Sequence, residues 1–358
     1  MKRIIFLALV FTLITQVSWA ARAKIDNISQ DPYVAALAID ADTGEVLFEQ
    51  NSGVIAYPAS VLKLMVLLVM VERIEQGTLK LDEMVQVTRE AAQMGGSQVY
   101  LDPKEQFSIE DLLYALIIQS ANDAAVALAM HVAGSKDGFV SLMNKRAEEL
   151  GMKDTRFYSV HGLPPSEGQK PDQTTANDLA ILGRELAKNP DVFKYTSTRE
   201  RGFRDGEFMM RTHNHLLKNV DGCDGFKTGY FKAAGFSIIA TAKRNGVRII
   251  AIVLGSKDRK VRDAKASELL SKGFAAVPPR EDTEVIVSKS ESVQAAEEQA
   301  ADSEPRETPI VEKDPANASR FGRDILMFGL GLGTGLVLCL VLAMLRSGRS
   351  SRRHRRIV

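Results

Sequence analysis

Cysteine is nearly absent, with two in 358 residues. Cys223 lies in the body of the chain and Cys339 in an apolar stretch near its end, so the two cannot pair. A disulfide framework is excluded, and the core must be large enough to hold the fold unaided. A charge excess of one sign is also missing: 46 Lys and Arg face 45 Asp and Glu, a net charge of +1. The body mixes both signs, which excludes a basic nucleic-acid-binding face. The five histidines, His131, His161, His213, His215 and His354, are scattered, and none has a convincing Asp partner. His213 and His215 lie two apart, but no third ligand at sensible spacing accompanies them, so neither a metal nor another cofactor is expected. What remains is ordinary: 45% hydrophobic and 25% charged residues, as in a globular protein of one large or two modest domains.

The two ends differ from the body. Lys2 and Arg3, the apolar run from Ile4 to Ile14 and the small-x-small site Ser18-Trp19-Ala20 have the form of a signal peptide over residues 1–20. An uncleaved membrane anchor is the alternative, and either sends the body out of the cytoplasm. Residues 276–320 hold no aromatic residue, are rich in Pro, Glu, Ser and Ala, and are acidic, as a disordered linker is. Residues 325–345 are apolar and uncharged; at 1.5 Å per residue they reach about 32 Å, enough to cross a bilayer. The tail, residues 346–358, carries Arg346, Arg349, Arg352, Arg353, Arg355 and Arg356, and the positive-inside rule puts it in the cytoplasm with the body outside. Gly329, Gly331, Gly333 and Gly335 form overlapping G-x-x-x-G patterns through which two such helices could pair into a homodimer, although glycine is common in membrane helices anyway.

Between these ends, residues 33–50 have the pattern of a hairpin turning at Asp42-Thr43-Gly44. Residues from Ala59 to Glu75 form a helix apolar almost all round, hence buried, ended by Gly77. A second helix opens at Ser108 as N-cap and runs to about Gln119; a third runs from Asn122 to about Val132. Helices follow at 138–150 and 176–188, with a loop over 160–175. Residues 236–243 and 247–254 are strands joined through Asn245-Gly246, a strong hairpin signal. Ser267 to Phe274 suits a closing helix. Strands at both ends with helices between imply an antiparallel sheet packed by helices, an α+β or αβα layout.

Three short motifs carry the chemistry: Ser60-Val61-Leu62-Lys63, Ser120-Ala121-Asn122 and Lys227-Thr228-Gly229. Patterns such as S-x-x-K or S-x-N each arise roughly once by chance in a chain of this kind; the order, spacing and structural setting together are what make coincidence a poor account. A serine hydroxyl is a weak nucleophile and needs a base. Lys63, three residues on, shares a helix face with Ser60, and a lysine buried near another cation can be neutral. Taken alone, the pair reads as an N-cap and a snorkelling lysine. Ser120 and Asn122 fall at the break between two helices, where they suit either helix capping or a proton relay with an amide for substrate backbone. Lys227-Thr228-Gly229 precedes the strand pair and is either a turn with a solvated lysine or a strand edge that glycine lets a peptide approach.

With these residues in view, positions from about 30 to 275 resemble the serine-type D-alanyl-D-alanine carboxypeptidases, the low-molecular-mass penicillin-binding proteins. Tyr57-Pro58-Ala59-Ser60, Ile117 to Ala124, Val160-His161-Gly162-Leu163, Asp224 to Tyr230 and Ala234-Gly235-Phe236 carry the likeness. It implies a β-lactamase/transpeptidase-like α+β fold, a five-stranded antiparallel sheet packed by helices on both faces with an all-helical subdomain, over residues 21–275. It implies Ser60 as acylated nucleophile, Lys63 as its base, and Ser120 as the relay to the leaving D-alanine. Asn122 would bind a substrate amide. Lys227 would orient Ser120 and, with Thr228 and Arg262, hold the terminal carboxylate. The N–H groups of Ser60 and Tyr230 would form the oxyanion hole, beside Gly229. The implied substrates are peptidoglycan stem peptides ending in D-Ala-D-Ala, with β-lactams as covalent inhibitors. Ala121 stands at a position that varies in the family, and Phe231 stands where a threonine often does. The linker and membrane span replace the second domain and amphipathic anchor of many relatives.

A D,D-endopeptidase would use the same residues. A β-lactamase needs a deacylating base, usually a glutamate after the second motif; Glu167 is the acid well inside 160–170, in a setting unlike that family. A non-catalytic wall-binding scaffold is the reading from another class, and the complete catalytic set argues against it.

Overall fold

The computed structural model describes residue 23 and residues 25–280. The signal peptide, most of the expected linker, the membrane segment with its glycines, and the tail lie outside these. Among the described residues no helix is long and apolar enough to cross a membrane.

The strands are β1 (Ala35–Asp40), β2 (Val46–Gln50), β3 (Met84–Gln86), β4 (Gln106–Ser108), β5 (Glu200–Phe203), β6 (Phe208–Arg211), β7 (Cys223–Phe231), β8 (Gly235–Arg244) and β9 (Val247–Ser256). The α-helices are α1 (Lys63–Glu75), α2 (Arg89–Ala92), α3 (Ile109–Tyr114), α4 (Asn122–Ala133), α5 (Lys136–Leu150), α6 (Ala176–Ala187), α7 (Pro190–Thr196), α8 (Leu216–Asn219) and α9 (Arg259–Ala276). The main sheet has five strands in the order β2-β1-β9-β8-β7, with every neighbour antiparallel. Pairs β3–β4 and β5–β6 are separate small hairpins.

The central strands are apolar on both faces because both faces are covered. On β9, Ile249, Ala251 and Val253 point to one side with Ala266, Leu269 and Leu270 of α9. Ile250, Ile252 and Leu254 point to the other, into the larger core built from α1, α3, α4 and α6. Alternation of side chains along a strand produces this division. The helices between β2 and β7 gather on that second side, as the expected helical subdomain does.

The expected hairpin of 33–50 is β1–β2, with Gly44 at φ +79° in the turn. Asn245 and Gly246 both have positive φ, as a tight two-residue hairpin turn requires. Two elements differ from expectation. The closing helix begins at Arg259, eight residues before Ser267, capped by Asp258, whose carboxylate accepts from the amides of Lys260 and Val261. Its buried stripe is Arg262, Ala266, Leu269, Leu270 and Gly273, so the first member of an apolar pattern is an arginine. The third motif lies inside an additional strand, the edge strand β7, so of its two readings the strand edge holds and the turn with a solvated lysine fails.

Candidate active site

The first motif sits at a change of helix type. Ala59–Leu62 is a 3₁₀ turn that runs directly into α1. With three residues per turn, positions i and i+3 eclipse, so Ser60 and Lys63 face the same way. Lys63 Nζ lies 3.0 Å from Ser60 Oγ. It also donates to Asn122 Oδ1 at 2.8 Å and to the His161 carbonyl at 2.6 Å. Lys63 is fully buried, so the snorkelling alternative fails.

The second motif is a break. The segment Ala115–Gln119 is a π-helical turn, and Ser120 then takes a left-handed conformation with φ +60° and ψ +32°. Helix α4 has Ala121 as its N-cap residue and no side-chain cap, so capping does not explain these residues. A π-bulge followed by a left-handed serine is local strain of the sort that functional sites hold. Asn122 is committed at both ends of its amide, accepting from Lys63 and donating through Nδ2 to the Gly95 carbonyl at 2.7 Å.

The third motif reaches the first through a missing side chain. A Cβ on Gly229 would sit 2.6 Å from the Pro58 carbonyl oxygen and 3.0 Å from the amide nitrogen of Ser60. Only glycine lets β7 approach the serine turn so closely. From the far side, a Cβ on Gly162 would lie 2.1 Å from the Ala59 carbonyl oxygen, so two glycines clasp the turn that carries Ser60.

These elements enclose a cavity of about 290 Å³ lined by Ser60, Ser97, Ser120, His213, His215, Thr228, Gly229, Tyr230, Phe236, Arg259 and Arg262. Of the expected residues, Ser60, Ser120, Thr228, Gly229, Tyr230 and Arg262 line it directly. Lys63 and Asn122 stand behind Ser60. The Lys227 ammonium is buried and donates to the Thr228 carbonyl at 3.0 Å. Tyr230 is 53% exposed at the mouth and stacks on Phe236 with ring centroids 4.1 Å apart. Arg262 is buried and donates to the Ser237 carbonyl at 3.3 Å and to the Asp263 carboxylate.

Five lining residues were not expected as site residues, Phe236 beneath Tyr230 among them. Ser97 comes from a loop with no sequence signal. Arg259 stands one turn before Arg262, a relation invisible until the helix start is known. His213 and His215 line the pocket together; among the described residues no group of three His, Cys, Asp or Glu side chains is placed to hold a metal ion. Phe231 is not a pocket wall: it stacks on Tyr57, with centroids 6.0 Å apart, behind the serine turn. Cys223 is half-buried, and burial pushes its thiol up to about 11, which leaves it unreactive. Glu167 is exposed.

Basic groups crowd the site, and burial lowers the pKa of most of them. Burial, and then the nearby Lys227 charge, hold Lys63 well below the ordinary lysine range. Burial, with the Arg262 guanidinium second, brings Lys227 down to about 7. Burial also keeps His213 neutral, at about 4, and His161 at about 3. Asp172 is raised to about 6 by burial, although it accepts from the amides of Tyr158 and Ser159 and from Ser159 Oγ. Ser159 Oγ in turn accepts from the Gly162 amide at 2.9 Å, so Asp172 holds the strand-like segment whose His161 carbonyl anchors Lys63.

Residues 23–258 match the peptidase family of D-alanyl-D-alanine carboxypeptidases. The chain belongs to this family. It is 36% identical over 282 residues to a D-alanyl-D-alanine carboxypeptidase of Bacillus subtilis, DacF, covering 77% of this chain and 72% of that protein. It is 35% identical to Escherichia coli DacC, covering 73% of this chain and 66% of that one, so it spans about two thirds of the length of that curated relative. Penicillin-binding protein D2 of Listeria monocytogenes, solved in an ampicillin-bound form, is 32% identical, with a TM-score of 0.62 over 68% of this chain and 97% of that one. The five-stranded antiparallel sheet with its helices is the fold of these penicillin-binding proteins, and the chain is a hydrolase of the carboxypeptidase kind.

Proposed function

We propose that the chain removes the terminal D-alanine from peptidoglycan stem peptides through an acyl-enzyme on Ser60. The observation that carries this reading is the 3.0 Å contact between Ser60 Oγ and the fully buried Lys63 Nζ. Burial, and then a neighbouring cation, lower Lys63 well below the ordinary lysine range, which favours the neutral amine that a base requires. Lys63 takes the hydroxyl proton as Ser60 Oγ attacks the carbonyl carbon of the penultimate D-alanine. The amide N–H groups of Ser60 and Tyr230 receive the negative charge that develops on the carbonyl oxygen. The C–N bond breaks, and the leaving amine takes a proton relayed by Ser120 from Lys63. Water then hydrolyses the ester and frees Ser60. Thr228 and Arg262, which line the cavity, hold the terminal carboxylate together with Lys227, buried next to Thr228. A β-lactam presents a carboxylate beside a strained amide and acylates Ser60 in the same way; the ampicillin complex of the Listeria relative supports this. The exposed position of Glu167 leaves the β-lactamase reading without its deacylating base.

The test is direct. The full chain is incubated with fluorescent penicillin and with a pentapeptide ending in D-Ala-D-Ala. Stable labelling and D-alanine release, both lost in Ser60→Ala, are the expected result. Release of cross-linked dimers into monomers without D-alanine release would give an endopeptidase, and rapid penicillin turnover a β-lactamase. Absence of labelling would leave a scaffold.

For the ends of the chain, the proposal is export by residues 1–20 and a single membrane crossing by residues 325–345, with the catalytic unit on the periplasmic side. The uncharged apolar run and the arginine tail support it. A linker of this length, about 45 residues, has a root-mean-square reach of roughly 35–40 Å, suited to placing the site near the cell wall. A C-terminal green fluorescent reporter should glow and a C-terminal alkaline phosphatase should be inactive; the reverse pattern would overturn the orientation.

A further inference from the structure

The cleft wall facing β7 is a loop, residues 93–102, without regular structure. Its inner rim is tied to the second motif. Asn122 donates from its amide nitrogen to the Ser97 carbonyl at 2.8 Å and from Nδ2 to the Gly95 carbonyl at 2.7 Å. The amides of Val99 and Leu101 each donate to the Asp123 carboxylate at 3.1 Å. The outer rim is tied by one side chain from a distant part of the chain. Arg204, at the tip of the β5–β6 hairpin, donates through Nη1 to the Val99 carbonyl and through Nη2 to the Tyr100 carbonyl, both at 2.7 Å. Its Nε and Nη2 also donate to the two oxygens of Glu105, again at 2.7 Å. The guanidinium lies 5.3 Å from the centroid of Phe107 and 5.1 Å from that of Phe203.

The positive φ of Arg204 (+52°) and Asp205 (+53°) belongs to the turn between β5 and β6. Tyr100, outside any hairpin turn, has φ +59°, in a region that bulky side chains seldom occupy. Tyr100 is 68% exposed, so burial of its ring does not hold it there. The bond from Arg204 to its carbonyl and the Asp123 bonds to the amides on either side of it fix the backbone there.

We infer that Arg204 is a positioning residue for acylation of Ser60. It clamps the 93–102 wall onto Asn122, whose Oδ1 aligns Lys63 Nζ with Ser60 Oγ. Arg204 bonds the wall at Val99; four residues back along the same loop, Gly95 bonds Asn122, and Asn122 and Ser60 both bond Lys63, each contact 3.0 Å or less. Lysine at 204 would keep a charge for Glu105 but not the planar fork that reaches two carbonyls and a carboxylate together.

The inference rests on the reading of Ser60 as the acylated nucleophile, and the experiment separates the two. In the full chain, acylation rate by fluorescent penicillin, kcat and KM on the pentapeptide, and Tm are measured for wild type, Arg204→Lys and Glu105→Gln. If wild type is not labelled, the assignment of Ser60 fails. If it is, Arg204→Lys should acylate roughly 10- to 100-fold more slowly, the cost of a misplaced catalytic group. Its loss should appear in kcat more than in KM, because Arg262 and Thr228 still hold the carboxylate, and its Tm should stay near wild type. Glu105→Gln keeps both carbonyl bonds and should acylate within about threefold of wild type. An Arg204→Lys variant that acylates at the wild-type rate overturns the inference. So does a Glu105→Gln variant that loses as much as Arg204→Lys, since the ion pair and not the wall clamp would then be what matters.

Discussion

Lys227 gives the proposed reaction an alkaline limb in its pH profile. Its ammonium is fully buried and sits near Arg262, and these bring it from 10.5 to about 7. The displacement corresponds to about 5 kcal/mol against the charged form. A lysine whose pKa is lowered loses its charge as pH rises through the lowered value, so in the free enzyme Lys227 is half neutral near pH 7. A bound carboxylate restores the charge by attraction. The parameter kcat/KM reports the free enzyme and kcat the complex. Hence kcat/KM for the pentapeptide should fall above about pH 7, approaching tenfold per pH unit, while kcat stays level to higher pH. Lys227→Arg keeps the charge across the whole range, and its alkaline fall should vanish, at some cost in absolute rate from the bulkier side chain. The acid limb should survive in the variant, because it reports protonation of Lys63, which burial and a cation at 227 still disfavour. Since the two lysines interact, both limbs belong to the pair rather than to either residue alone. D-alanine release from pH 5 to 10 at constant ionic strength measures all of this. A wild-type kcat/KM that is flat to pH 9, or an Arg variant with the same alkaline fall, would refute the reasoning.

Three further outcomes follow from particular contacts. Gly162→Ala places a Cβ 2.1 Å from the Ala59 carbonyl oxygen at φ +74°; the backbone alone costs about 1–2 kcal/mol, and the clash must move the serine turn, so Tm and acylation rate should drop together. A variant with native acylation would show the clasp to be unimportant. Arg262→Ala removes a buried carboxylate partner and should cost about 2–5 kcal/mol in kcat/KM on the pentapeptide, but far less on a peptide whose C-terminus is amidated. Equal losses on both peptides would contradict the assignment. Asp172, raised to about 6 chiefly by burial, contributes stability that is complete below 3.8 and lost as pH rises through about 6. Asp172→Asn lacks that loss, so urea unfolding should show the variant gaining on wild type by about 2–3 kcal/mol between pH 4 and pH 7. A difference that is the same at both values would count against it.

What the sequence showed and what it hid divide along one physical line. Hairpin β1–β2, helix α1 and the Asn245-Gly246 turn were legible because each is dictated by neighbours in the chain: alternation, an unbroken apolar run, two residues at positive φ. Strand β7 was legible only as one of two readings of the third motif, because its residues serve Ser60 rather than the sheet. Gly225 and Gly229 interrupt the strand pattern, and Gly229 is there because any Cβ would strike the serine turn. The first half of α9 was hidden because Arg262, a cation, fills the first place in its apolar stripe. Ser120 reads as a cap from sequence, yet it is a left-handed residue after a π-turn. Ser97, His213 and Arg259 carry no motif at all; tertiary folding alone brings them to the cavity. Every one of these failures of local rules falls on the pocket or its support, where a residue's position answers to chemistry and not to propensity. The same reasoning singles out Tyr100, a left-handed residue away from any motif. Its backbone is held from one side by Asp123 and from the other by Arg204, so the fork of Arg204 supports the wall that Asn122 leans on.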